Sequence, residues 1–136
     1  MDLMKSLTIS ASGMKAQGTR LRVIAENLAN ANSTAPQPGQ LPYRRKVVTF
    51  QDHFDRAAGV ETVGVKKVDV DRSDFQRRYD PGHPSADAEG YVLYPNVRPI
   101  IETMDMHEAQ RSYEANLNVL DASRTMLMRT IDLLRG

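Results

Sequence analysis

A helical period occupies each end of this chain and is missing between them. From residue 4 to 28, alternating steps of three and four land on Met4, Leu7, Ala11, Met14, Gly18, Leu21, Ala25 and Leu28, all apolar or small. Lys5, Lys15, Arg20, Arg22 and Glu26 fall off that line, so the segment reads as an amphipathic helix with a near-heptad seam. After Pro99 the stepping returns through Met106, Gln110, Tyr113, Leu117, Leu120, Arg124, Leu127, Ile131 and Leu134. That second helix could span roughly 35 residues, about 50 Å at the rise of an α-helix. Glu108–Arg111, Asp121–Arg124 and Asp132–Arg135 place acid before base at helical spacing, the favourable order. The first stripe is thin, and Gly13 and Gly18 each cost about 1 kcal/mol relative to alanine in a helix interior. They mark either a close approach by another backbone or simply a weak helix.

Between the helices the chain changes character twice. Asn27, Asn30 and Asn32 stop the first helix, because their side chains compete for backbone hydrogen bonds and tolerate left-handed conformations. Pro36, Pro38 and Pro42 forbid a restart, which makes Ser33 to Pro42 an exposed, polar, semi-rigid loop. From Tyr43 to Tyr94 the pattern is that of strands: "YRRKVVTF", then "VGVKKVDVD" with a phase change suggesting a bulge or turn at Lys66-Lys67, then "YVLY" ended by Pro95. "YDPGHPSADAEG" is a turn-rich loop.

Neither terminal helix can bury its stripe alone. The expected fold is therefore α+β: two long helices packed as an antiparallel, coiled-coil-like pair, with a small β module inserted between them. Residues 1–33 and 98–136 would form one discontinuous helical domain, and 34–97 the loop and β module. Ile9, Ile24, Val119, Met126 and Met128 lie beside or off the seams, so a single pair leaves apolar surface uncovered and points to assembly.

Chemistry finds little support. The chain has no cysteine, which removes disulfides and thiolate sites. A net charge of +1 gives no case for nucleic acid, and Arg44, Arg45 and Lys46 read as a solvated strand face. His53 with Asp52 and Asp55 lacks a converging ligand set, His83 sits in a turn, and His107 lies beside Glu108 on a helix surface. No phosphate loop, nucleophile elbow or metalloprotease motif occurs. No catalytic, metal or cofactor residue is assigned, and no enzyme activity or cofactor is expected. No apolar run approaches the ~18 residues of a membrane span, and the first residues lack the apolar core of a signal peptide.

The asparagine cluster carries a further meaning. "NLANANS" closing an N-terminal helix, followed by a loop and "YRRKVVTF", resembles the signature of the flagellar rod and hook axial family. "GYVLYPNV" and "YEANLNVLDASRTMLMRTIDLLRG" agree with that family's C-terminal part, and the resemblance covers nearly the whole chain. It implies a structural subunit of the basal-body rod in the bacterial flagellum. Such a subunit would leave by the flagellar type III export apparatus without a cleaved signal peptide, then polymerise in the periplasm into a shaft that carries torque and passes later subunits. Implied partners are the rod subunits FlgB, FlgF and FlgG, the adaptor FliE and further copies of itself, with no nucleic acid and no membrane insertion. The residues expected at the assembly interface are Leu7, Ala11, Met14, Gly18, Leu21, Leu28, Asn30, Asn32, Tyr113, Asn116, Leu117, Leu120, Leu127, Ile131 and Leu134. The rival reading is a free-standing coiled-coil binding module such as a secretion chaperone, which would be stable and soluble without rod proteins.

Overall fold

Asp2 starts the first helix: its carboxylate accepts the Met4 N–H at 3.1 Å and its carbonyl accepts that of Ser6. The computed structural model describes residues 2–136. Helix α1 spans Leu3–Ala29 and helix α2 spans Pro99–Arg135, 37 residues long, with proline at the first helical position where its missing N–H costs nothing. Between them lie β1 (Lys46–Asp55), β2 (Val60–Val70), β3 (Gln76–Tyr79) and β4 (Tyr91–Tyr94). The architecture is the expected α+β arrangement of two long helices and an inserted β module.

The strands form two small sheets, β1 with β2 and β3 with β4. Residues 56–59 close the first as a hairpin: the Asp55 carboxylate accepts the N–H groups of Ala57 and Ala58, and Gly59 supplies the positive φ of 67°. Strand β2 runs unbroken through Lys66-Lys67, so no turn occurs there. Strand β3 was not anticipated. It pairs antiparallel with β4, Gln76 opposite Tyr94 and Tyr79 opposite Tyr91. Gly90, at φ 86°, lets the chain re-enter β4 where a Cβ would lie 2.9 Å from the Tyr79 ring.

The helix stop keeps the expected competition for backbone hydrogen bonds but not the expected left-handed conformation. Among the described residues no asparagine takes a positive φ. The Asn30 amide instead donates to the Glu26 carbonyl at 2.9 Å, and its oxygen accepts the Ser33 hydroxyl at 3.1 Å. These side-chain bonds, with backbone turns from the Ala31 N–H to the Leu28 carbonyl and from the Ser33 N–H to the Asn30 carbonyl, end the helix. In the following loop residues 36–41 are exposed as expected, but Ala35 and Pro42 are buried.

The chain divides into two compact units. One runs to Leu21 and takes in Val48–Lys67 and His107–Gly136; the other comprises Arg22–Val47 and Val68–Met106. In the first unit the helical segments are antiparallel: the Ser6 and Ser123 hydroxyls meet at 3.2 Å, Gly13 faces Asn116, and Arg20 approaches Glu108 at 3.6 Å. In the second, Asn27 faces Glu102.

The facing line is not the apolar stripe. Its α1 residues in the first unit are Ser6, Ser10, Gly13 and Ala16, of which the last three are buried, while Leu7 and Met14 one position along are only half-buried. One residue is a rotation of roughly 100° about the helix axis. Small side chains win this face because they let the backbones approach, and the hydroxyls pair with each other instead of needing water. Gly13 is where that approach is tightest, since a Cβ there would lie 2.7 Å from Asn116 Nδ2. Gly18 has nothing within 4 Å. The close-approach reading therefore fits Gly13, and the weak-helix reading fits Gly18.

Replacing each glycine separates the two roles. Gly18→Ala should raise stability by up to about 1 kcal/mol. Gly13→Ala should lower it by about 1–2 kcal/mol, because Asn116 must abandon its 3.0 Å hydrogen bond to the Ser112 carbonyl to make room. Urea unfolding of the purified chain measures both; equal stabilisation by the two would show that the Gly13 contact is soft.

Candidate assembly site

The best-ordered chemistry in the molecule is a polar knot in the second unit, built around the last full turn of α1. Asn27 is 1% exposed and uses its whole hydrogen-bonding capacity. Its oxygen accepts the Lys46 N–H at 2.9 Å and the Tyr43 hydroxyl at 2.8 Å. Its amide nitrogen donates to the Lys46 carbonyl at 2.9 Å and to Glu102 Oε2 at 3.3 Å. A single side chain thus grips both backbone groups of the residue that opens β1, and also holds the first turn of α2.

Asn96 does the matching work from the other side. Its oxygen accepts the Arg45 N–H at 2.7 Å, and its nitrogen donates to the carbonyls of Asp71 and Ser73 at 2.9 and 3.2 Å. The Arg45 side chain then reaches three carboxylates: Nε binds Glu102, NH1 binds Asp71 at 3.3 Å, and NH2 lies 3.7 Å from Asp105. Glu102 is fully buried, and it is tolerable there because both oxygens are bonded, one to a cation. Among the described residues no buried side-chain nitrogen or oxygen lacks a partner.

The electrostatics follow the contacts. Burial works against the Arg45 charge, but hydrogen bonds and attraction from Glu102 and Asp71 outweigh it and hold its pKa above the ordinary value. The Ser73 backbone N–H, at 2.8 Å, is the largest influence pulling the Asp71 carboxyl below its usual range, with the Ser73 hydroxyl and Arg45 adding to it against burial. Burial raises the Tyr43 hydroxyl, and Glu26 and Glu102 raise it further.

The basic triplet is therefore not a solvated strand face. Arg45 is in the knot, Lys46 pairs with Glu26 at 3.2 Å, and the Arg44 guanidinium lies 4.1 Å from the centre of the Phe75 ring. Sequence reasoning gave Asn27 the role of stopping a helix and missed Arg45, Asn96 and Glu102. One signal was present: Asn27 is the fourth of a seven-residue series Ser6, Gly13, Arg20, Asn27, and Glu102 opens the series Ala109, Asn116, Ser123. A polar or small seam was written in the sequence beside the apolar one.

The residues expected at an assembly interface lie outside the knot. On α1, Leu7, Met14, Gly18, Leu21 and Leu28 are half-buried and Ala11 is exposed; past its end, Asn30 is half-buried and Asn32 exposed. On α2, Tyr113, Asn116, Leu120 and Leu127 are half-buried, whereas Leu117, Ile131 and Leu134 are exposed. His53 and His107 are exposed, and His83 is tied into its loop by Ser85 and Thr34.

Both helical ends match known proteins. A family model described as "Flagella basal body rod protein" matches residues 7–36, and one described as "Flagellar basal body rod FlgEFG protein C-terminal" matches residues 88–133. Among curated relatives, the flagellar basal-body rod protein FlgC of Agrobacterium fabrum is 54% identical over 128 residues, covering 94% of this chain and 92% of its own length. FlgC of Salmonella typhimurium is 44% identical, with 98% of each chain covered. FlgC of Bacillus subtilis is 38% identical over 98% of this chain and 99% of its own. The chain belongs to the FlgC family of flagellar basal-body rod proteins. It is a structural rod subunit, and none of these relatives supports the chaperone alternative. The two rod-family windows contain Asn27 at one end and Asn96 with Glu102 at the other, so the knot joins the matched segments. No helix among the described residues is long and apolar enough to cross a membrane.

Two expectations test the knot. Asn27→Ala would strand the Lys46 N–H and one Glu102 oxygen in a dry site, at about 1–3 kcal/mol for each unsatisfied group. Denaturant unfolding of the purified chain should show a loss of that size, against a far smaller loss for Asn32→Ala on the exposed loop. Because the Asp71 pKa is depressed in the folded chain, its contribution is complete above its ordinary value of 3.8 and disappears as pH falls through the folded value. Asp71→Asn should therefore flatten the acid limb of the stability–pH curve while leaving its slope near neutrality unchanged.

Proposed function

We propose that the chain polymerises, with copies of itself and with other rod subunits, through the apolar helix surface that its own fold leaves uncovered. The end of α2 carries this reading. Met126, Met128, Ile131, Leu133 and Leu134 are 57%, 52%, 41%, 82% and 83% exposed. With Leu127 they spread over roughly 220° of the helix circumference at 100° per residue. Exposed apolar side chains spread this widely on one helix end mark a surface that another molecule covers.

Leu7, Met14 and Leu21, half-buried on α1 beside the polar seam, add to this surface. Residues 1–33 and 98–136 act as the polymerising part, and 34–97 as the inserted module. FlgB, FlgF, FlgG and FliE are the neighbours such a subunit would meet. The assembled shaft conveys torque outward and passes later subunits through its lumen. The subunit itself travels by the flagellar export apparatus to the periplasm. A chain without cysteine suits that route, since no disulfide can form to resist unfolding on the way.

The test is a pair of substitutions on adjacent turns. Burying an isoleucine is worth roughly 1.5–3 kcal/mol, and an unpaired carboxylate in a desolvated interface costs several kcal/mol more. In cells whose only copy carries Ile131→Asp, rods should stop short and swimming should be lost. The subunit should still be made in normal amount with an unchanged circular dichroism spectrum, because Ile131 contacts little in the free chain. Arg129→Gln should swim nearly as wild type. If the two variants swim equally well, the contact surface lies elsewhere.

A further inference from the structure

The outward surface of α2 contains three of the four methionine sulfurs that are most exposed among the described residues. With no cysteine present, methionine is its only sulfur-bearing residue. Among the described methionines, Met4, Met104, Met126 and Met128 are more than half exposed, while Met14 and Met106 are half-buried. Met126 and Met128 are the informative pair. They lie on different sides of the helix and flank Leu127 within the apolar segment that, on the reading above, becomes enclosed.

We propose that Met126 and Met128 are sites of reversible oxidation that block assembly of the free subunit. The reaction needs only a peroxide: hydrogen peroxide transfers one oxygen atom to the thioether sulfur, the O–O bond breaks, and water leaves. The sulfur is oxidised to a sulfoxide and the peroxide is reduced. The sulfoxide is polar and a strong hydrogen-bond acceptor, whereas the thioether is apolar and deformable. On an exposed helix it is solvated and leaves the monomer intact. In a closed apolar contact it needs a donor that neighbouring leucines and isoleucines lack, and the desolvation cost falls on association alone. Peroxide therefore distinguishes the two states: the free subunit is susceptible, and the assembled subunit shields its sulfur. Methionine sulfoxide reductases remove the oxygen, so the block is reversible.

This inference rests on the proposed assembly surface, and the experiment separates the two. Brief treatment of the purified chain with hydrogen peroxide, followed by peptide mass mapping, should add one oxygen to Met126 and Met128 well before Met14 and Met106. In cells, Met126→Gln/Met128→Gln imitates the polar sulfoxide, and Met126→Leu/Met128→Leu keeps the surface apolar. The glutamine pair should be made in normal amount with unchanged helix content and should stop the rod, while the leucine pair should complete it. The expected weakening is about tenfold in association for each side chain, corresponding to about 1.4 kcal/mol. Completion of rods by the glutamine pair, or uniform oxidation of all six described methionines, overturns this inference. If Ile131→Asp still blocks assembly, the surface stands without it; if both Ile131→Asp and the glutamine pair assemble, the surface falls too.

Discussion

One carboxamide organises the second unit. Asn27 reaches the amide and the carbonyl of Lys46 together, as a neighbouring strand would, and so supplies β1 with a partner that belongs to a helix. The same side chain holds Tyr43 and Glu102. Glu102 then fixes Arg45, Arg45 fixes Asp71, and Asn96 ties the backbones of Arg45, Asp71 and Ser73 together. A buried network of this kind is favourable only when every member is satisfied, and here every member is. It imposes a specific geometry where a greasy contact would allow sliding. That matters for a small unit whose fully buried side chains include few large apolar ones.

The first unit solves a different problem by a different means. Ser6 and Gly13 on α1 face Ser123 and Asn116 on α2, so the helices approach closely along a line of small and polar side chains. α1 consequently carries two heptad lines one residue apart, one polar and small that makes the closest contacts within the first unit, the other apolar and half-buried.

That division explains what could be read from the amino-acid order. Helix limits were legible because periodicity, Pro99 and the asparagine cluster are local signals, and the "YVLY" strand was legible for the same reason. Strand β3 was not, since "QRRY" is four residues of mostly charged composition whose strand state depends on pairing with β4. The inner seam was misplaced because an apolar stripe is the usual guide to what faces what, and here a line of small and polar residues beside the stripe makes the closest contacts. Arg45 reads locally as part of a solvated strand face, and Glu102 carries no local mark of its burial. Their burial depends on Asn27 and Asn96 lying 18 and 51 residues from Arg45 along the chain, and no local pattern records that.

The polar inner seam has a thermal consequence. The heat-capacity change of folding scales with apolar area removed from water, and the seam's hydroxyls, amide and glycine add less to it than leucines in the same places would. On the assembly surface proposed above, covering Met126, Met128, Leu133 and Leu134 would involve the opposite kind of surface, whose attraction strengthens on warming through the physiological range. On that proposal warming favours the joined form over the free one.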